Sequence, residues 1–89
     1  MEKYLPIGTV VLLQGGEKTI MIYGRQQIQT ETDEVFDYVA CLYPEGNIDA
    51  EYTYLFNHSQ IREVVFMGLV NDEEKEFLSF LEESGKNSF

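Results

Sequence analysis

The sequence has few of the residues from which catalytic and metal sites are usually built. Its 89 residues contain one cysteine, one histidine and no tryptophan. A catalytic triad or a typical zinc site needs a histidine or cysteine together with a nucleophile or further ligands. Cys41 lies within a predicted strand between Ala40 and Leu42, where a small thiol packs as a hydrophobic side chain. We therefore expect Cys41 in the core, and His58, which lies in an Asn-His-Ser turn, in a surface or capping role.

The acidic residues and glycines form no recognisable site either. Pairs such as Glu82-Glu83 have no adjoining apolar pocket that would raise a carboxylate pKa, and no Asp or Asn spacing fits a calcium loop. Gly15-Gly16 lacks the Lys-Ser/Thr pair of a phosphate-binding loop and precedes a strand. These absences predict a protein that is not an enzyme and that uses no metal, cofactor or small-molecule substrate. Residue counts do not exclude that Cys41 and His58 meet in the folded protein as a catalytic dyad.

Positive charge is also scarce. Six Lys and Arg residues oppose sixteen Asp and Glu residues, which gives a net charge of −10. Nucleic-acid affinity depends mainly on cationic contacts to phosphates, so we expect no nucleic-acid binding, and anionic membrane surfaces are disfavoured for the same reason. The negative charge suits either solubility or a basic protein partner.

Long apolar runs are absent as well. The longest covers six residues, at positions 38–43, whereas a membrane-spanning helix needs about 20. The first residues show no basic segment followed by an apolar stretch, so no signal peptide is predicted. A lone cysteine forms no internal disulfide, which suits a reducing compartment. We expect a cytoplasmic protein without membrane insertion.

The residues that are present suffice for one folded domain. The chain is 44% hydrophobic and 13% aromatic, with six Tyr and six Phe, whereas disordered chains are poor in such residues. We predict a single domain over residues 1–89, with a core at about 5–84 and a flexible tail at 85–89.

The apolar pattern predicts four or five strands followed by a helix. Gly15-Gly16 predicts a tight hairpin turn, and Gly24 predicts a bulge or bend where the second strand leaves the sheet. The polar residues 25–34 indicate a mobile loop or an exposed strand extension, and residues 48–56 are left open between strand and loop, with a short helical turn at 60–62. The predicted fold is α+β, with a strongly bent antiparallel sheet or a small open barrel and one C-terminal helix. The strands are expected at residues 9–13, 18–23, 35–43 and 63–70, with 52–56 as the uncertain one.

The helix has the clearest pattern. Asn71 is a suitable N-cap, and Glu74 three residues later completes a pattern like a capping box. Gly85 is a natural residue to follow the helix end. Phe77, Leu78, Phe80 and Leu81 are expected to form one broad apolar stripe.

Binding chemistry is better represented than catalysis. Tyr52, Tyr54 and Phe56 alternate along the chain after Asp49 and Glu51, and tyrosines with an acidic rim are typical of protein interfaces. Two alternatives stay open: the aromatics fill the core, or a sheet edge accepts a strand from a partner. The candidate partner-binding residues are Tyr43, Glu45, Asp49, Glu51, Tyr52, Tyr54 and Phe56.

Three groups of segments carry a family resemblance. They are residues 5–13 with 15–16 and 21–25, residues 36–47 with the stretch Asp-Tyr-Val-Ala-Cys-Leu-Tyr-Pro-Glu-Gly-Asn, and residues 56–58 with Ile61 and 64–68. Together they resemble the small domain-of-unknown-function proteins encoded in type VII (ESX-like) secretion clusters of Gram-positive bacteria, beside LXG-type toxins.

The resemblance implies an accessory role in toxin export. It implies an adaptor or chaperone that engages the helical N-terminal targeting region of the toxin, or the toxin's small helical partner proteins. It implies no enzymatic activity and transfers no catalytic residues. An immunity protein that neutralises a toxin domain by direct binding is the alternative.

Overall fold

The strands form one antiparallel sheet that is followed by a helix. The computed structural model describes the backbone of residues 4–87 and the side chains of residues 4–83. The sheet has five strands in the order β4-β3-β2-β1-β5. It is open, with β4 and β5 as its edges, so the α+β prediction is confirmed and the small-barrel alternative is wrong. The elements are β1 (Val10–Leu13), β2 (Ile20–Gln29), β3 (Glu34–Leu42), β4 (Tyr54–Phe56), β5 (Ile61–Phe66) and α1 (Asp72–Asn87).

The turn at Gly15-Gly16 and the bulge at Gly24 are both present, but the loop between β1 and β2 spans residues 14–19 and β2 stays in the sheet beyond Gly24. Gly15 has a φ of +82°, a backbone conformation that suits glycine, and the Gly16 N–H donates to the Leu13 carbonyl at 3.0 Å to close the turn. The register between β2 and β3 shifts between Ile22 and Gly24, which is the predicted bulge. A bulge of this kind changes the face to which the following residues point.

The polar stretch after Gly24 is a strand extension rather than a loop. β2 continues to Gln29, and Arg25 pairs with Tyr38 in the ladder to β3. The turn lies at residues 30–33, and β3 begins at Glu34. The ladder to β3 pairs this stretch along one edge, although its sequence has almost no apolar residues of its own.

Residues 48–60 contain short pieces of three kinds. A 3₁₀ helix at Ala50–Tyr52 is capped by Asp49, whose side chain accepts from the Glu51 N–H at 3.0 Å. β4 follows, and then a second 3₁₀ helix at His58–Gln60. The predicted helical turn at 60–62 therefore lies two residues earlier. Residues 48–56, for which the prediction left strand and loop open, contain both, and the strand is confined to the three residues of β4.

The last strand and the helix differ from the prediction at their ends. β5 covers Ile61–Phe66 instead of residues 63–70, so the apolar residues 67–70 form a connection and not a strand. Asn71 is the expected N-cap, since its Oδ1 accepts from the Glu74 N–H at 2.9 Å. The helix continues past Gly85 to Asn87, so the predicted stop is wrong. The rest of the predicted tail, residues 88–89, lies outside the described residues.

The core lies between the sheet and α1. Leu81 is buried on the same side as the inward residues of the strands, and Leu78 packs against that group. Burying such apolar surface is the main stabilising contribution in a domain of this size. The core residues are Tyr4, Val11, Ile20, Ile22, Tyr38, Ala40, Phe56 and Leu81.

The opposite face of the sheet is also apolar at its centre. Met21 pairs with Val10 on one side and with Cys41 on the other, so the three residues share that face. Cys41 is 2% exposed, as expected for a thiol that packs as a hydrophobic side chain.

Candidate functional site

A buried ion pair fixes the first turn of α1 to the sheet. The bulge at Gly24 turns the next residue, Arg25, toward the core face, where it is 8% exposed. Its guanidinium donates to the two carboxylate oxygens of Glu74 at 2.6 and 2.9 Å and to the Leu5 carbonyl at 3.2 Å. This arrangement joins β2, the N-terminal segment and α1. Glu74 therefore pairs with Arg25 instead of completing the predicted capping box.

Gln26 holds the helix further along its length. Its side-chain amide donates to the Leu81 carbonyl at 2.6 Å and to the Tyr4 hydroxyl at 3.1 Å. Gln26 has a φ of +49°, so its backbone lies in the left-handed region. Arg25 and Gln26 together place α1 at a defined position over the N-terminal segment.

The connection between β5 and α1 is held against the N-terminal segment. The Gly68 N–H donates to Thr9 Oγ1 at 3.0 Å. A Cβ at position 68 would collide with the Ile7 carbonyl and would lie 3.0 Å from the Thr9 nitrogen, so only glycine permits this approach. The connection is thereby fixed next to Ile7, and the side chain of Leu69 is 74% exposed.

These anchors leave an open groove of about 800 Å³ beside α1. Phe77 and Phe80 on the helix stack at 5.8 Å between ring centroids, and the Arg25 guanidinium lies 5.5 Å from the Phe77 ring. Phe80 is 60% exposed. We call this feature the α1 groove. It is lined by Ile7, Leu69, Phe77 and Phe80 and by the polar residues Arg25, Asn71, Glu73, Glu74 and Glu76.

The free charge of the α1 groove is negative. Arg25 is the basic residue of the lining, and its charge is paired with Glu74. Glu73 and Glu76 are exposed and have no ion-pair partner among the described residues. The groove thus combines exposed aromatic and aliphatic side chains with unpaired carboxylates.

Exposed apolar residues continue from the connection into β5, the strand at the sheet edge. Val64, Val65, Phe66 and Met67 are exposed. The register between β5 and β1 is irregular at two places, and bulges of this kind protect an edge against pairing with another strand.

Two of the three alternating aromatic residues share one face of β4, and the third lies outside the strand. Tyr54 and Phe56 pair with Ala40 and Tyr38 on the core face of the sheet, whereas Tyr52 lies in the 3₁₀ helix. Phe56 is 1% exposed and packs on Tyr38 with ring centroids 5.4 Å apart. Its side chain belongs to the core, which was one of the two alternatives for these aromatics.

The other predicted binding residues lie at the surface. Tyr43, Tyr52 and Tyr54 are exposed, and Glu51 is exposed as well. Asp49 accepts the Glu51 N–H as a helix cap. The Lys18 ammonium lies 2.8 Å from Glu45, and its hydrogen bond lowers the pKa of that carboxyl.

His58 belongs to a hydrogen-bond network around Tyr38. The Leu5 N–H donates to the Tyr38 hydroxyl at 2.9 Å, and the same hydroxyl is hydrogen-bonded to His58 Nδ1 at 2.7 Å. The His58 N–H donates to Asp37 Oδ2 at 2.9 Å. Burial raises the pKa of Tyr38 to about 12. His58 thus ties the second 3₁₀ helix to the core face, whereas Cys41 lies on the opposite face of the sheet.

A metal-binding cluster and a membrane-spanning helix are both absent from the described residues. Within residues 4–83, His, Cys, Asp and Glu side chains form no group of three that could hold a metal ion. No helix in the described part of the chain is both long and apolar enough to span a membrane.

Comparison with known proteins identifies the family. A family model described as Domain of unknown function (DUF4176) matches residues 4–77, which is most of the chain. The chain belongs to this family. The resemblance to a family of unknown function is therefore confirmed at that level, and its secretion setting stays a prediction. Searches of curated proteins and of solved structures gave no match.

The family match contains most of the α1 groove. Ile7, Leu69 and Phe77 lie within the matched residues, and Phe80 lies three positions beyond them. Sequence reasoning missed the groove because it assigned residues 67–70 to a strand and Phe77 and Phe80 to the buried stripe. The available signal was that apolar residues continue past Phe66, where β5 ends, to Val70, with Gly68 as a break among them.

Proposed function

We propose that the protein is a non-catalytic adaptor or chaperone that binds a helical segment of a protein partner in the α1 groove. The observation that supports this best is the exposure of Leu69 and Phe80 beside Phe77 and Ile7 in one groove. Contiguous apolar surface rimmed by polar residues is typical of protein interaction sites. A helix laid in an apolar groove is a common mode of such recognition.

The shape of the groove favours a macromolecule over a small ligand. A small-molecule site usually encloses 70–90% or more of its ligand. The α1 groove has a volume of about 800 Å³ but is wide open to solvent. A partner helix can cover such a groove from above, and each exposed ring would then be buried between two helices.

The partner we propose comes from type VII secretion. It is the helical N-terminal targeting region of an LXG-type toxin, or one of the small helical proteins that accompany the toxin, and binding takes place in the cytoplasm before export. The family resemblance suggests this setting, and the acidic, apolar groove is compatible with a helical client. The protein would keep the targeting helices from aggregating by covering their apolar faces.

Co-expression with an LXG-type toxin encoded in the same gene cluster tests this function. The toxin is divided into its N-terminal helical half and its C-terminal toxin half, and each is tested for retention on the tagged protein together with the small helical proteins. We expect retention of the N-terminal half or of a small helical protein at micromolar concentration. Retention of the C-terminal half alone would support the immunity-protein alternative, and retention of none would contradict both.

A further inference from the structure

The exposed side of α1 has a regular pattern. Glu73, Glu76, Phe77 and Phe80 are spaced i, i+3, i+4 and i+7, which places them on one face of the helix. Glu74, Leu78 and Leu81 form a second, adjacent face that packs on the sheet. The exposed face is acidic near the start of α1 and aromatic further along.

A second copy of this chain is a poor occupant for that face. Each copy has a net charge of −10, so two copies would bring like charges together. Glu73 and Glu76 would face an acidic surface, and like charges across an interface oppose association. A partner that brings positive charge to these two carboxylates would instead be attracted.

We infer that the segment bound in the α1 groove is a cationic amphipathic helix. Its apolar side chains contact Leu69, Phe77 and Phe80, and Lys or Arg side chains next to them contact Glu73 and Glu76. This inference rests on the proposed function and specifies the chemistry of the partner. The two carboxylates then determine the choice of partner and the rate of encounter, whereas the apolar side chains contribute most of the affinity.

Two synthetic amphipathic peptides of about 20 residues provide the probe, a length above the roughly 12–15 residues below which isolated helices are marginal in water. Both have leucines at i, i+3, i+4 and i+7, and their flanking positions are either all Lys or all Glu. Binding to the full chain is measured by NMR chemical shifts and by calorimetry. We expect the Lys peptide to bind roughly tenfold or more tightly than the Glu peptide at low salt, with the preference shrinking as salt screens the charges.

Two double variants with equal charge change separate the site from general attraction. E73Q/E76Q removes the two groove carboxylates, and E31Q/E34Q removes two exposed carboxylates at the β2–β3 turn. We expect E73Q/E76Q to lower the affinity for the Lys peptide roughly three- to tenfold, which is the contribution of two exposed ion pairs. E31Q/E34Q should change its affinity less than about twofold, because its charges lie outside the groove.

Three results would overturn the inference. They are equal losses in the two double variants, equal affinity for the two peptides, and no binding of the Lys peptide at about millimolar concentration, where even a weak helix contact is detected. The co-expression experiment tests this inference separately from the proposed function. If a natural partner were retained equally by wild type and by E73Q/E76Q, the claim that Glu73 and Glu76 select a cationic partner would be wrong. The adaptor role would be unaffected.

Discussion

Arg25 shows how one residue determines the position of α1. A guanidinium that is 8% exposed must have its charge compensated, and Glu74 compensates it from the first turn of the helix. The sequence predicts the bulge at Gly24, but the consequence that Arg25 turns inward is not visible in the polar residues that follow. From the sequence alone, Arg25 looks like any solvent-exposed basic residue in a polar stretch. Its burial becomes evident only once Tyr38 is known to be its partner in the ladder.

Arg25→Met should destabilise the fold strongly. It leaves the Glu74 carboxylate, which is 13% exposed, without its partner. Breaking a buried pair from one side costs about 3–5 kcal/mol. Urea unfolding followed by circular dichroism measures the change. The double variant R25M/E74M should recover much of the loss because no unpaired charge remains.

The exposed pair between Lys18 and Glu45 is the matched control. Both side chains are nearly half exposed, so solvent screens their attraction. Lys18→Met should leave the urea midpoint unchanged within error. A loss as large as that of Arg25→Met would contradict the view that burial makes the Arg25–Glu74 pair important.

Tyr38 should make the fold sensitive to alkaline pH. Burial raises its pKa to about 12 from 10.0, so between these values the unfolded chain loses the proton and the folded chain keeps it. The stability contributed by this group is therefore fully present below about pH 10 and is lost as the pH rises to about 12. Urea midpoints across this range should fall.

Tyr38→Phe provides the comparison for the alkaline range. It removes the hydroxyl that accepts from Leu5 and contacts His58, so it should cost about 1–3 kcal/mol near neutral pH. The urea midpoint of this variant should fall less between pH 10 and 12 than the midpoint of the wild type. The same fall in both proteins would show that another group is responsible.

At the scale of the elements, Gly68 fixes one wall of the α1 groove. Gly68→Ala would push the new methyl group against the Ile7 carbonyl, and the backbone would have to move. We expect a loss of about 1–3 kcal/mol, as for other overpacked sites, together with weaker binding of the Lys peptide. Gly16→Ala is the control, since its Cβ would lie 3.6 Å from the nearest atom, an ordinary contact. Equal urea midpoints for the two variants would contradict the close approach.

The sequence predicted some elements well and others poorly, for physical reasons. β1 and β3 are rich in apolar and β-branched residues, and the start of α1 has a capping residue, so local signals suffice. β2 beyond Gly24 exists because β3 offers a ladder, which no local pattern reveals. Phe77 and Phe80 fit an apolar stripe, but the face occupied by Leu78 and Leu81 is the one that meets the sheet. Periodicity alone does not say which part of a broad stripe stays exposed.

At the scale of the whole molecule, charge and apolar exposure occur together. The net charge of −10 opposes association between copies of the protein, and this repulsion acts against pairing of two copies through the exposed residues of the α1 groove. The sequence predicted a binding surface with an acidic rim, but it placed this surface around Tyr52 and Tyr54. The structure offers the α1 groove as a second surface, which is lined mainly by residues 69–80 together with Ile7 and Arg25.

The most direct test of the α1 groove compares these two surfaces. L69S/F80S changes two exposed residues of the groove, and Y52S/Y54S changes two exposed residues of the tyrosine surface. Each variant is co-expressed with the N-terminal half of the LXG-type toxin and its small helical proteins, and the retained partner is quantified after confirming an unchanged circular dichroism spectrum. We predict that L69S/F80S loses most of the partner and that Y52S/Y54S retains it. Full retention by L69S/F80S, with loss in Y52S/Y54S, would contradict binding in the α1 groove.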